Sequence, residues 1–181
     1  MTPYLRRKNL IERMQELENS GKDCKGCAGD CCTSVANSMM VTPLETVELV
    51  DYLKTNNLFD AELKTRLLET VSKYRLDQSV GDGKRSLLRR TYTCPFFNHK
   101  ELGCSLPRAA KPYGCLAFNP HHEEIKAGEH CFSEKEILEQ REAEFADEKA
   151  VNEGLKKQYS LFWDKTPLPL ALLDFFPLEG L

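Results

Sequence analysis

Apolar residues recur at helical spacing in separate stretches of the chain and lose that spacing between them. From about Pro3 to Asn19, Leu5, Leu10, Met14 and Leu17 fall on roughly one face among charged neighbours, which predicts an amphipathic helix ending before Gly21. Thr42-Pro43-Leu44-Glu45 places a capping residue, a first-turn proline and a glutamate three after the cap, so a helix carrying Val47, Val50 and Leu53 should start there and stop near Asn56-Asn57. A third helix is predicted from about Asp60 to Asp77, with Leu63, Leu67, Val71 and Tyr74 or Leu76 inward, broken by Gly81-Asp82-Gly83. Between Thr93 and Phe132 no helical period persists. Ser133-Glu134-Lys135-Glu136 repeats the capping pattern and opens a long charged helix reaching Tyr159 or Trp163, with Gly154 its weakest point and Thr166-Pro167-Leu168-Pro169 its stop. The apolar segment Leu170 to Phe176 is too short to span a bilayer, so residues 166–181 are expected to dock as a tail on a single domain of residues 1–165.

Composition adds limits rather than a function. The 181 residues, 41% of them apolar, suffice for one ordinary core. A formal net charge of -3 gives no global attraction to nucleic acid or membrane. The run Lys84, Arg85, Arg89 and Arg90 beside Tyr92 could hold a nucleic-acid strand, but four cations in such a chain read first as a solvated face. No apolar stretch has the length of a secretory signal core or the ~18 residues of a membrane span, so the expected compartment is the cytoplasm. Cytosolic thiols stay reduced, and the eight cysteines therefore read as metal ligands rather than disulfides.

Four of those thiols lie close together in Cys24-Lys25-Gly26-Cys27-Ala28-Gly29-Asp30-Cys31-Cys32. The two-residue spacing of Cys24 and Cys27 lets one tight turn aim two sulfurs at one ion, and Gly26 and Gly29 suit the backbone such a loop needs. Adjacent Cys31 and Cys32 point to opposite sides if the chain is extended, so one of them is expected to serve a second site or stay a reactive thiol. Cys94, Cys104, Cys115 and Cys131 complete eight candidate ligands, the number for two four-thiolate sites or one multinuclear centre. His99 and His130 could replace a thiolate, though ordinary surface roles suit them and His121-His122 better. Such a centre carries about -2, and Lys22, Lys25, Arg108 and Lys111 are placed to offset it or simply to be solvated.

In order, these elements are the four-cysteine run, then Cys94-Pro95-Phe96-Phe97, Gly103-Cys104-Ser105-Leu106, and Lys111-Pro112-Tyr113-Gly114-Cys115-Leu116-Ala117-Phe118. The chain resembles the YkgJ-type cysteine-cluster family, a zinc- or iron-chelating domain, over about Cys24 to Cys131. Lys111 stands where that family has an arginine before the proline, Leu116 replaces its arginine after the cysteine, and no tyrosine follows Leu106. Flagellin lysine methylases carry a related cluster, but no glycine loop for S-adenosylmethionine is present here, so that activity is not transferred.

Three features favour an iron-sulfur cluster over zinc: the Cys94-Pro95 step, the shielding available from Phe96, Phe97 and Phe118, and an all-sulfur donor set. Against it, ferredoxin spacing is absent. The expected function is a cysteine-cluster metalloprotein, redox-active with a redox partner or accessory to a modification reaction. The alternative is a structural zinc domain presenting a protein- or nucleic-acid-interaction surface. No phosphate loop, nucleophile elbow or zincin helix occurs, and Glu123-Glu124 read as surface charges. The expected fold is mainly helical, with three or four helices around an irregular, metal-ordered core from about residues 22 to 40 and 90 to 132.

Overall fold

The computed structural model describes residues 12, 15–16, 18–21, 23–78, 90–116, 118–119, 132–133 and 147–177. The backbone at Glu12, Gln15, Glu16, Glu18 and Asn19 is helical and ends ahead of Gly21, while Leu5, Leu10, Met14 and Leu17 lie outside the described residues.

Helix α1 spans Pro43–Thr55 and begins with the reciprocal cap its sequence implies. The Glu45 amide donates to Thr42 Oγ1 at 3.3 Å, and the Thr42 amide donates to Glu45 Oε2 at 2.8 Å. Its burial goes beyond a stripe: every residue from Pro43 to Val50 is buried. Helix α2, Ala61–Tyr74, starts at Asp60, which accepts the Leu63 amide at 2.8 Å, and turns Leu63, Leu67 and Val71 inward. The one-turn helix α3, Tyr113–Leu116, lies in the cysteine-bearing stretch. Helix α4 spans Glu148–Tyr159; the predicted start of this charged helix falls outside the described residues, and its end agrees with Tyr159.

Thr166–Pro169 does more than end a helix. Thr166–Pro167 forms strand β4, antiparallel to β1, Met40–Val41, with Val41 opposite Thr166. Helix α5, Leu168–Leu173, follows at once with a proline in its first turn. A second pair joins β2, Phe118–Asn119, to β3, Phe132–Ser133.

The chain is thus mainly helical. Helix α5 packs on α2 and α1, and α4 covers the other side of α1, which explains why α1 is buried nearly all round. The main core joins Val41, Leu49, Leu53, Leu63, Leu67, Leu168, Ala171 and Leu172, with Cys94 and Cys104 packed at its margin. Through that margin the helices support the cysteine-bearing loops. No described helix is long and apolar enough to cross a membrane.

Candidate metal centre

Two sets of backbone hydrogen bonds, and one from a backbone amide to a side-chain carboxylate, bring distant cysteines together. The Cys94 amide donates to the Cys32 carbonyl at 2.7 Å, and the Tyr92 amide donates to the Asn37 carbonyl at 2.9 Å, tying residues 32–37 to 92–94. The Cys104 amide donates to the Cys24 carbonyl at 3.3 Å, and the Gly26 amide to the Leu102 carbonyl at 3.2 Å. The Tyr113 amide donates to Glu45 Oε1 at 2.9 Å, so the same carboxylate that caps α1 also anchors the turn carrying Cys115.

The hairpin between Cys94 and Cys104 is shaped by its own side chains. Asn98 Oδ1 accepts the amides of Lys100 and Glu101, and the Asn98 amide donates to the Gly103 carbonyl at 2.8 Å. Gly103 has φ of 99°, and a Cβ there would collide with the Cys24 carbonyl oxygen. At Gly29, with φ of 82°, a Cβ would run into the Phe97 ring. Both are positions where the loops approach too closely for a side chain.

The result is a small cavity of about 20 Å³ lined by Cys24, Cys31, Cys32, Cys94, Cys104 and Cys115, together with Lys111, Met39 and Leu106. None of the seven described cysteines is in a disulfide. The short 3-10 turn Asp30–Cys32 corrects the expectation that Cys31 and Cys32 diverge. An extended backbone alternates its side chains, but this turn puts both sulfurs on the cavity, 3.9 Å apart. That is close to the edge of a tetrahedral zinc-thiolate site, about 3.8 Å for bonds of about 2.3 Å.

Of the Cys24/Cys27 pair, Cys24 lines the cavity, while Cys27 is not among its lining residues and accepts the Gly29 amide at 3.4 Å. Cys131, His121, His122, His130 and Lys22 lie outside the described residues. His99 is exposed, edge-on to Phe97 at 4.8 Å, and absent from the lining. Among the described residues, no three His, Cys, Asp or Glu side chains are already closed to coordination geometry. The six thiols are gathered without being drawn in to bond length.

Electrostatics follow from this crowding. Desolvation, then the neighbouring Cys104, pushes the Cys94 thiol up to about 12. Desolvation, followed by Cys94 and Cys104, raises Cys115 well above an ordinary thiol, and desolvation raises Cys104. At Cys32 a hydrogen bond with Cys31 favours the thiolate, but burial and the charges of Cys115 and Cys94 outweigh it. Lys111, 3% exposed, is pulled down by burial. Cys104 and Cys24, the latter also by a hydrogen bond, more than reverse this and hold the ammonium above the ordinary lysine range. The cavity therefore carries a buried lysine beside six thiols, of which Cys32, Cys94, Cys104 and Cys115 resist ionising.

Of the other cations singled out in the sequence, Lys25 is exposed beside Asp23. Arg108, 1% exposed, donates through Nη2 to the Leu116 carbonyl at 2.7 Å and so braces the turn behind Cys115.

Of the basic run and its aromatic neighbour, Arg90 and Tyr92 are described. Tyr92 is 1% exposed; its hydroxyl donates to the Met39 carbonyl at 2.6 Å and accepts the Leu168 amide at 3.3 Å. It cannot stack on a base. The Arg90 guanidinium bonds the carbonyls of Tyr74 and Arg75 at the end of α2. Lys84, Arg85 and Arg89 lie outside the described residues. Tyr92 and Glu45 are among the residues whose part in building the site sequence reasoning missed; the capping box was legible at Glu45, but its second bond to Tyr113 was not. Comparison with family models, curated proteins and solved structures finds no match to this chain.

Proposed function

We propose that this chain is a thiolate metalloprotein whose centre is held by four or more of Cys24, Cys31, Cys32, Cys94, Cys104 and Cys115, and that it belongs with the YkgJ-type cysteine clusters it resembles. The observation that carries this reading is the convergence of six cysteines from distant parts of the chain on one cavity beside a buried lysine. Structural cysteines without a ligand have no reason to converge in this way in a chain kept reduced.

The donor set fits a thiophilic metal. With four thiolates a divalent ion leaves a charge of about -2, which Lys111 partly offsets without a competing carboxylate in the lining. The cavity's size and the 3.9 Å between Cys31 and Cys32 suit a single four-coordinate ion, zinc above all. An iron-sulfur cluster is the second reading, favoured by the all-sulfur lining and by buried Phe96 and Phe97, and it requires the cysteine loops to part. Bound zinc would cross-link the loops, whereas a cluster would add one-electron chemistry with a redox partner. In either form the thiols are half-buried around a small cavity, which favours a structural or electron-carrying centre over one that binds a large substrate directly.

Elemental analysis with an absorption spectrum on protein purified without oxygen separates the two. Colourless protein with one or two zinc ions per chain is the expected result; iron with acid-labile sulfide and a band near ~400 nm would establish the cluster instead. Cys104→Ser should lose most of the metal and Cys27→Ser should retain it. Metal content unchanged in Cys104→Ser would overturn the reading.

A further inference from the structure

A metal ion reaches the half-buried thiols from solvent, and the structure offers a route. A second cavity of about 390 Å³ abuts the first and includes Asp30, Cys31, Ser38, Met39, Phe118 and Lys165 in its walls. Cys31, Asn37 and Met39 line both cavities and form the partition between them. One part of that partition is fixed: Asn37, 4% exposed, donates to the Tyr92 carbonyl at 2.9 Å and accepts the Met39 amide at 3.0 Å. The other part is adaptable. Met39 is unbranched, and the end of its side chain rests on backbone at Gly114, where a Cβ would stand 2.9 Å from its sulfur.

We propose that the outer cavity is the loading site of the thiol centre. It takes a thiophilic divalent ion, hydrated or in a small labile complex, meets it with the Asp30 carboxylate, and hands it to Cys31 as the Met39 side chain swings aside. This rests on the metalloprotein reading above. Each sulfur-metal bond formed releases one thiol proton to solvent and displaces one water or carrier ligand from the ion; no electron moves. The volume lies within the range of small-ligand sites and far below that of a protein donor, so delivery involves a small complex. Lys165, an exposed cation at the rim with no ion-pair partner among the described residues, opposes the approach of cations and sets the rate.

Two variants test this without altering any thiol. Ser38→Trp fills the outer cavity, and Lys165→Glu reverses the charge at its rim. Reduced, metal-free full-length chain is mixed with cobalt(II), and uptake is followed by thiolate-to-cobalt absorption in stopped flow. Ser38→Trp should slow uptake about tenfold or more with the final stoichiometry and spectrum unchanged. Lys165→Glu should speed uptake several-fold at low ionic strength, an advantage that disappears near ~1 M salt. If Ser38→Trp does not fold, Lys165→Glu decides alone. Full uptake at wild-type rates in the folded variants would overturn the loading route and leave the metal centre standing. A wild-type chain that takes up no cobalt would overturn both.

Discussion

At the scale of single residues, the thiols make the metal-free protein sensitive to base. Cys94 is pushed to about 12, and Cys104 and Cys115 are raised as well, so the folded chain keeps protons that an unfolded chain gives up near pH 9. A raised folded pKa means stability that is whole below the unfolded value and is lost as pH climbs toward the folded one. The metal-free chain should therefore lose about 1.4 kcal/mol per pH unit above pH 9 through Cys94, with Cys104 and Cys115 adding in the same direction, read from denaturant midpoints between pH 8 and 10.5. A flat profile would mean the thiols are not desolvated together. Metal-loaded protein should show the opposite trend, gaining stability up to about pH 9 and levelling off above it, because its ligands are already deprotonated while the unfolded thiols still hold protons below that pH. Gly103 offers a separate test. Its φ of 99° and the contact of any Cβ with the Cys24 carbonyl should make Gly103→Ala less stable by roughly 1–3 kcal/mol, with metal affinity falling in step, since the pairing of residues 24 and 104 is disturbed.

Among the elements, α1 links core and site through Glu45. One oxygen of its carboxylate accepts the Thr42 amide and hydroxyl, and the other accepts the Tyr113 amide that starts the Cys115 turn. Glu45→Ala should lower stability by about 2–3 kcal/mol and weaken metal binding, whereas Glu62→Ala, which removes an exposed pair with Arg66, should change either by less than about 0.5 kcal/mol. Equal effects from the two substitutions, measured by urea unfolding and zinc competition, would show that Glu45 does no more than cap. The hairpin of residues 94–104 is a different kind of element. Its turn is set locally by Asn98, but its place is set by partners in residues 24–32, and it should order only when those loops are present.

For the whole molecule, the last described residues matter as much as the first helices. Leu168, Ala171 and Leu172 are 0–1% exposed and share a core with Leu49 and Leu63, while β4 pairs with β1 just ahead of the α1 cap. A chain ending at residue 165 should therefore show no cooperative thermal transition by circular dichroism; a truncated chain that melts like the intact one would show that this segment is an accessory. Read alone, the sequence determined the cap and end of α1, the start of α2 with its inward Leu63, Leu67 and Val71, and the clustering of cysteines, because capping bonds, helical period and turn residues act over a few positions, whereas α2 stops at Tyr74, short of the predicted Asp77. It also pointed to a mainly helical fold. Which thiols share a cavity was decided only by tertiary structure: Cys27, at the centre of the motif, lies outside the lining, and Cys115, far along the chain, lies inside it. The 3-10 turn at Cys31 and Cys32, the burial of Tyr92 and Lys111, and the second bond of Glu45 were hidden for the same reason. Each depends on backbone groups or desolvation supplied by segments dozens of residues away, and no local pattern records where those segments will pack.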